Sequence, residues 1–566
     1  MNTKDSAAKA AASVAPAVAP TGVAAPPKSR KRVATMGPVR TNLEAFGVAI
    51  LAAVLLKWFC IEAYQIPTSS MQPTLMGDVD AGVNDRILVN KIIQTFREPK
   101  RWDITVFAYP MQKNQNYVKR ITGMPGDRLC IAGGNLYLVA DVGGKRTYTI
   151  LRKPADLQEA LWKNVYPARR LCQSESKALG KIWVGQPNRI FSESDDTIAI
   201  ALEGQQASLL FRDETDGGFI DRVWDGYPEA TAKAIRDAQH RKGQLGRQEI
   251  VPDARITATI TAEKALESFA MEIEVLRPGF DRWVYALVVR GGKGTLQLRA
   301  KESQMLGSSP EFALELSPGV ATELSFAHVD DQLIAWRDGT ELQTFDTEAW
   351  ACREGCGPDP QQGKLADNQR VTPQLLLKGH GKLVVSDLRL DRDLHYTRSG
   401  APEIIEVPEG HYFMMGDNTL QSVDSRDWTA ITIGVDAENR VVPPDTPGAR
   451  IVRGNKRAMP LNQPPDRDET PIAIPSEHAI VMIDEYGEIL RLSAEIGSSW
   501  PKISFQRVGA SNGDPEWEAP DTKNARGVSF VPRSDIRGRA LLVFYPSRPL
   551  AWLFGSNWPG RFGLVR

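Results

Sequence analysis

Residues 45–61 are apolar apart from Lys57, and no other stretch constrains the chain as strongly. A run of about 17 apolar residues is near the shortest helix that can cross a bilayer. Lys57 sits close enough to the end to extend its amine into the headgroups, and Trp58 and Tyr64 suit an interfacial belt. The run begins late and no A-x-A-like site follows it, so the sequence reads as an uncleaved anchor spanning 41–64. Residues 1–40 are rich in alanine and proline and cannot bury a core, which predicts a disordered tail. Lys28, Arg30, Lys31 and Arg32 place that tail in the cytoplasm and everything after Glu62 outside.

Composition excludes several classes. Lysine plus arginine balances aspartate plus glutamate at 69 each, so no basic field points to nucleic acid. Five cysteines (Cys60, Cys130, Cys172, Cys352 and Cys356) are too few for a disulfide framework, although a Cys352–Cys356 bridge is open to a chain in an oxidising compartment. The six histidines are scattered without metal-ligand spacing, and no cofactor or metal is expected.

Three segments carry candidate chemistry. In Ile66-Pro67-Thr68-Ser69-Ser70-Met71-Gln72-Pro73-Thr74-Leu75 two prolines flank a serine cluster, which predicts a rigid extended turn presenting a hydroxyl. A serine needs a base within hydrogen-bond reach before it attacks anything. In Tyr117-Val118-Lys119-Arg120-Ile121 a lysine lies on an apolar strand ahead of a Pro-Gly turn. If it points inward, burial disfavours the ammonium and leaves an amine able to take a proton. In the third, an apolar strand His411-Tyr412-Phe413-Met414-Met415 ends at Gly416, and the loop beyond offers Asp417, Asn418, Ser422, Asp424, Ser425 and Arg426. The spacing does not fit an EF-hand, and Asp424 and Arg426 are expected to pair and brace the loop.

Together, in this order behind an anchor, the three segments resemble the motif boxes of bacterial type I signal peptidases, membrane-bound Ser/Lys endopeptidases. Val531-Pro532-Arg533-Ser534-Asp535 and the residues after it resemble that family's closing strand. The resemblance covers less than half of the chain. It implies a mainly β catalytic core behind one transmembrane helix in the bacterial cytoplasmic membrane, acting on exported preproteins at small residues on the outer side. It implies Ser70 as nucleophile and Lys119 as base, with Thr68 and the Ser70 N–H as the oxyanion hole and Ser422 orienting the lysine. Phe107, Tyr117, Met414 and Met415 would keep the lysine dry. Ile66, Met71 and Leu75 resemble the pocket beside the cut, and Tyr64, Ile66, Ile87 and Val118 the pocket two residues back. Asp417, Asp424 and Arg426 would be structural. Gln72 and the long connection 76–84 depart from common family spellings. A self-cleaving repressor-type peptidase shares the dyad but not the anchor or the 416–426 loop.

The implied core is interrupted. The expected division is tail 1–40, anchor 41–64, core 65–129, first insertion 130–402, core 403–428, second insertion 429–528 and core 529–566. Strand-like runs recur across the first insertion at 197–201, 207–211, 255–261, 271–276, 283–289, 295–299, 312–316 and 322–327. A hairpin is expected around Asp338-Gly339, another strand at 382–390 and a short helix near 154–165. This pattern predicts an inserted β-sandwich resembling a concanavalin-A-like jelly roll. A glycan or other envelope ligand is the functional reading of the sandwich, and a vestigial peptidase core carrying a glycan-binding module is the non-enzyme alternative. In the second insertion 479–483 reads as a strand, and 550–554 near the C-terminus reads as core or as an interfacial contact with lipid.

Overall fold

The computed structural model describes residues 38–79, 82–110, 112–167, 182–194, 197–212, 222, 225, 232–235, 237, 250–276, 282–300, 304–351, 370–398, 401, 403–426, 428, 430–443, 446–455, 472–484, 488–493, 506–508, 530–545 and 563–565. Most of the tail, Cys172, Cys352, Cys356 and 550–554 lie outside the described residues.

Near the N-terminus one helix runs from Pro38 to Leu55 and ends in a wider turn, Leu56–Cys60. Its stretch Asn42–Cys60 is long and apolar enough to cross a membrane. Leu43, Phe46, Leu51 and Leu55 are all exposed, as lipid-facing side chains would be.

An eight-stranded sheet is built from strands far apart in sequence. In chain order they are β1 (Ile61–Gln65), β2 (Arg86–Asn90), β3 (Ile104–Tyr109), β4 (Gln112–Gly123), β5 (His411–Met415), β6 (Val531–Pro532), β7 (Ile536–Tyr545) and β8 (Gly563–Leu564). Across the sheet the order is β1-β2-β7-β3-β4-β5-β6, with β8 on β7 and every pair antiparallel. The strand from the end of the chain thus lies between two from its beginning. Register decides the faces, because directly paired residues share one. Thr105 faces Lys119, Phe107 faces Tyr117, and Met414 faces Ile121. Those residues lie on the face of Lys119, while Val118, Arg120 and Met415 point to the other.

The first-insertion boundary expected at 130 needs correcting, because it falls inside a strand. Arg128–Ala132 pairs with Asn135–Val142, which pairs with Lys145–Ile150, and Ile405–Glu406 closes the other edge. Leu129, Ile131 and Leu136 bury their side chains with Leu157, Leu161, Tyr396, Phe413 and Met415, so the core extends through the helix Ala155–Leu161.

The inserted domain begins at Lys163–Tyr166, which pairs with the end of the 23-residue strand Arg370–Arg392. That strand is the spine of a 14-stranded sheet. Along one edge it pairs first with Leu266–Leu276 and then with Ala254–Ala262, and the partner changes around Gly379 and Gly381. The two resulting layers, one continuing through Trp283–Arg290 and Lys293–Arg299 and the other through Thr322–Val329 and Gln332–Arg337, share a single apolar core. This is the expected β-sandwich. The second insertion has a small core of its own, in which Ile433, Val435 and Val452 meet Met482 and Leu492.

Candidate active site

Ser70 sits on one 3-10 turn, Ser69–Met71, and not on the extended turn that the flanking prolines suggest. Thr68 before it is extended, at φ −117° and ψ 156°. The turn is clamped from both sides. On one side Gly77 lies so close that a Cβ there would stand 2.5 Å from the carbonyls of Ile66 and Thr68. Gln72, which departs from the family spelling, is buried and donates to the Gly77 carbonyl at 2.9 Å. On the other side Asn418 donates its backbone N–H to the Ser70 carbonyl (3.1 Å) and its amide to the Ser69 carbonyl (3.0 Å). Only a glycine fits between the two loops: a Cβ at Gly416 would lie 2.3 Å from the Ser70 carbonyl oxygen and 2.2 Å from Ser422 Oγ. Backbone of the serine turn and hydroxyl of Ser422 are therefore immediate neighbours.

Lys119 is 3% exposed, and its Nζ donates to Ser422 Oγ at 3.0 Å. Ser422 donates in turn to Asp424 Oδ2 at 2.7 Å. Asp424 also accepts the Gly416 N–H (2.9 Å) and both arms of the Arg426 guanidinium at 2.7 Å, so the expected pair exists and is fully buried. Burial alone would push the Asp424 carboxyl up; the Arg426 guanidinium and the Gly416 N–H help to outweigh it and hold the group below its usual range. A second buried fork joins Arg120 to Asp417 at 2.8 and 2.7 Å, with Thr74 donating to the same carboxylate. That fork locks the third segment to the strand carrying the lysine.

On the lysine's face Phe107, Tyr117 and Met414 pack in one cluster with Ile121, Tyr109 and Trp428. Tyr109 stacks on Tyr117 with ring centres 4.2 Å apart, and Trp428 meets Tyr109 edge-on at 5.3 Å. Burial pushes both tyrosine hydroxyls up, as an apolar enclosure would. Met415 does not join them. One residue on from Met414, it packs with Phe413, Leu129 and Trp102 on the opposite side. The six expected pocket residues, Tyr64, Ile66, Met71, Leu75, Ile87 and Val118, do come together in one cluster with Val89, Ile104 and Val106. Thr68 Oγ1 lies 3.5 Å from Ser70 Oγ. Asn418 and Trp428 are the contributors that sequence reasoning left without a role.

The family model for signal peptidase, peptidase S26, matches residues 39–189 and 361–441. Those two stretches are similar to the peptidase S26 family and make up less than half of the chain. The chain is 38% identical over 96 residues to signal peptidase I of Pseudomonas aeruginosa, covering 15% of this chain and 32% of that protein. It is 34% identical over 108 residues to signal peptidase I of Leptolyngbya laminosa (18% and 50%), and 38% over 95 residues to probable signal peptidase I-2 of a Synechocystis strain (16% and 41%). The chain thus spans about a third to a half of the length of these curated relatives. Among solved structures, a carbohydrate-binding module from Bacillus subtilis aligns over 36% of this chain and 92% of its own at 7% identity, with a TM-score of 0.20, too slight a likeness to argue from.

Proposed function

We propose that the chain is a membrane-bound Ser/Lys endopeptidase that removes signal peptides from exported preproteins. The observation that carries this reading is the Lys119 amine: buried, on the sheet face it shares with Phe107, Tyr117 and Met414, and held by Ser422 beside the turn that bears Ser70. A dry site favours the neutral amine, which is the form a general base needs. In this mechanism Lys119 takes the Ser70 hydroxyl proton as Oγ attacks the scissile carbonyl carbon. The Ser70 N–H and Thr68 hydroxyl receive the developing oxyanion, each such donor being worth about 3 kcal/mol. The C–N bond then breaks, and the leaving amine takes the proton back from Lys119. A water, deprotonated by the same amine, hydrolyses the acyl-enzyme and returns the serine.

The cluster formed by Ile66, Met71, Leu75, Tyr64, Ile87 and Val118 supports small apolar pockets that admit alanine-sized side chains, hence A-x-A-like sites. The apolar helix would fix the enzyme in the cytoplasmic membrane, the basic tail inside and the catalytic core outside. For the sandwich we propose an envelope-glycan ligand, on the strength of a cavity of about 760 Å³ lined by Phe269, Phe312, Leu316, Arg290, Lys293 and Glu311. Co-sedimentation with purified peptidoglycan sacculi, lost in Phe312→Ala, tests that part.

The peptidase reading is tested by mixing the detergent-solubilised chain with a preprotein bearing an A-x-A site. Cleavage there, abolished in both Ser70→Ala and Lys119→Ala, is the expected result. Undiminished cleavage by Lys119→Ala would exclude the mechanism.

A further inference from the structure

Residues 393–397, where the chain leaves the sandwich, reach directly into the catalytic loop. The His395 carbonyl accepts the Thr419 hydroxyl at 2.6 Å. The Thr397 carbonyl and hydroxyl both accept from Arg426, at 2.8 and 3.1 Å. At the sandwich's entry, Lys163 Nζ stands 3.5 Å from the Asp417 carbonyl. Arg426 is the group that fixes Asp424, Asp424 receives the Ser422 hydroxyl, and Ser422 holds Lys119.

The same exit segment is pinned where the insertion meets the core. Lys153 Nζ lies 2.8 Å from Asp393 and 2.7 Å from Asp330, a residue of a sandwich turn. Gln158, on the core helix, donates to Asp393 at 2.9 Å, and the Asp393 N–H donates to the Asp253 carbonyl at 3.1 Å. Asp393 is thus shared by both bodies, four residues before Thr397.

We propose that Thr397 is a positioning residue for the peptidase reaction, setting Ser422 and Lys119 through Arg426, and that the Lys153–Asp393 joint ties its position to the docking of the sandwich. The proposal rests on the role given above to Lys119. It makes the insertion part of the catalytic scaffold and not a passenger.

The test uses the full chain in detergent micelles, with Thr397→Val, which removes the hydroxyl, and Thr397→Ser, which keeps it. Two measurements are made: hydrogen exchange across residues 416–428, and the pH dependence of kcat for an A-x-A preprotein. In Thr397→Val we expect faster loop exchange, a kcat lower by about fivefold at unchanged KM, and a displaced acidic limb of the kcat profile. Thr397→Ser should restore all three. Lys153→Met should give the same loop signature while the 254–298 strands keep their protection; if that variant unfolds, the Thr397 pair decides alone. Wild-type loop exchange in Thr397→Val, or failure of Thr397→Ser to rescue, overturns the proposal. If the unmodified chain cleaves nothing, the peptidase reading falls, and the exchange data still decide whether Thr397 holds the loop.

Discussion

Arg426→Met removes a guanidinium that makes two fully buried bonds of 2.7 Å to Asp424 and two partly buried ones to Thr397. Breaking a buried pair from one side costs about 3–5 kcal/mol, because the remaining charge has no water to replace its partner. That is about two to three and a half powers of ten in folded population, since each 1.4 kcal/mol is about tenfold. There is a second consequence. In the intact protein Arg426 keeps Asp424 ionised yet balanced, so its contribution to stability is present at neutral pH and is lost only as pH falls through its depressed value. Without Arg426 any charge left on Asp424 acts through Ser422 on the lysine alone, and a nearby carboxylate favours the ammonium. Cleavage should then need more alkaline conditions, with the acidic limb of kcat moved upward. The assays are the urea concentration that halves cleavage and the pH profile of kcat. A variant with an unchanged urea midpoint and an unchanged or downward-moving limb would refute the reasoning.

Three further outcomes follow from the same geometry. Gly416→Ala drives a methyl onto Ser422 Oγ and the Ser70 carbonyl, so kcat should collapse while the sandwich, followed by its own hydrogen exchange, stays intact. Met414→Ala and Met415→Ala should each cost about 2–5 kcal/mol in urea unfolding, both being fully buried. Only Met414→Ala should also shift the acidic limb of kcat upward, because only Met414 shares the lysine's cluster. Burial pushes Asp330 up to about 6 despite Lys153, with Asp393 adding to the rise. A carboxyl raised in the folded state contributes stability below the ordinary carboxylate range, near pH 4, and loses it as pH rises through about 6. Asp330→Asn should therefore flatten that part of the stability curve measured by urea unfolding.

What the sequence made legible was local. Asp338 and Gly339 form the expected hairpin turn, both at positive φ (49° and 74°), and flanking strands Gln332–Arg337 and Thr340–Asp346 follow from alternation. The serine and lysine segments were readable because the turn, the strand and the chemistry lie within a few residues of one another. Pairing over distance was not readable. Runs at 197–201 and 207–211 are one strand, Thr197–Phe211, whose register slips at Glu203/Gln206 beside Gly204. The run at 382–390 is the end of a 23-residue spine, hidden because Gly379 and Gly381 interrupt its apolar pattern. The lysine motif ends just before position 130, yet Leu129 is paired with Ile405, and nothing near position 130 announces a partner so far away. Asn418 earns its role from the Ser69 carbonyl, 349 residues earlier. Met415 was readable in principle: period-two alternation already separates it from Met414.

The large insertion hangs from a two-strand stem, since Lys163 is paired with Arg392. Its entry and exit therefore stand side by side, and a short turn could bridge them at small entropic expense. Such a chain would keep the eight-stranded sheet with the serine and lysine segments, and the excised body has an apolar interior of its own. The module is separable in covalent terms even though its roots are knotted into the machinery beneath it.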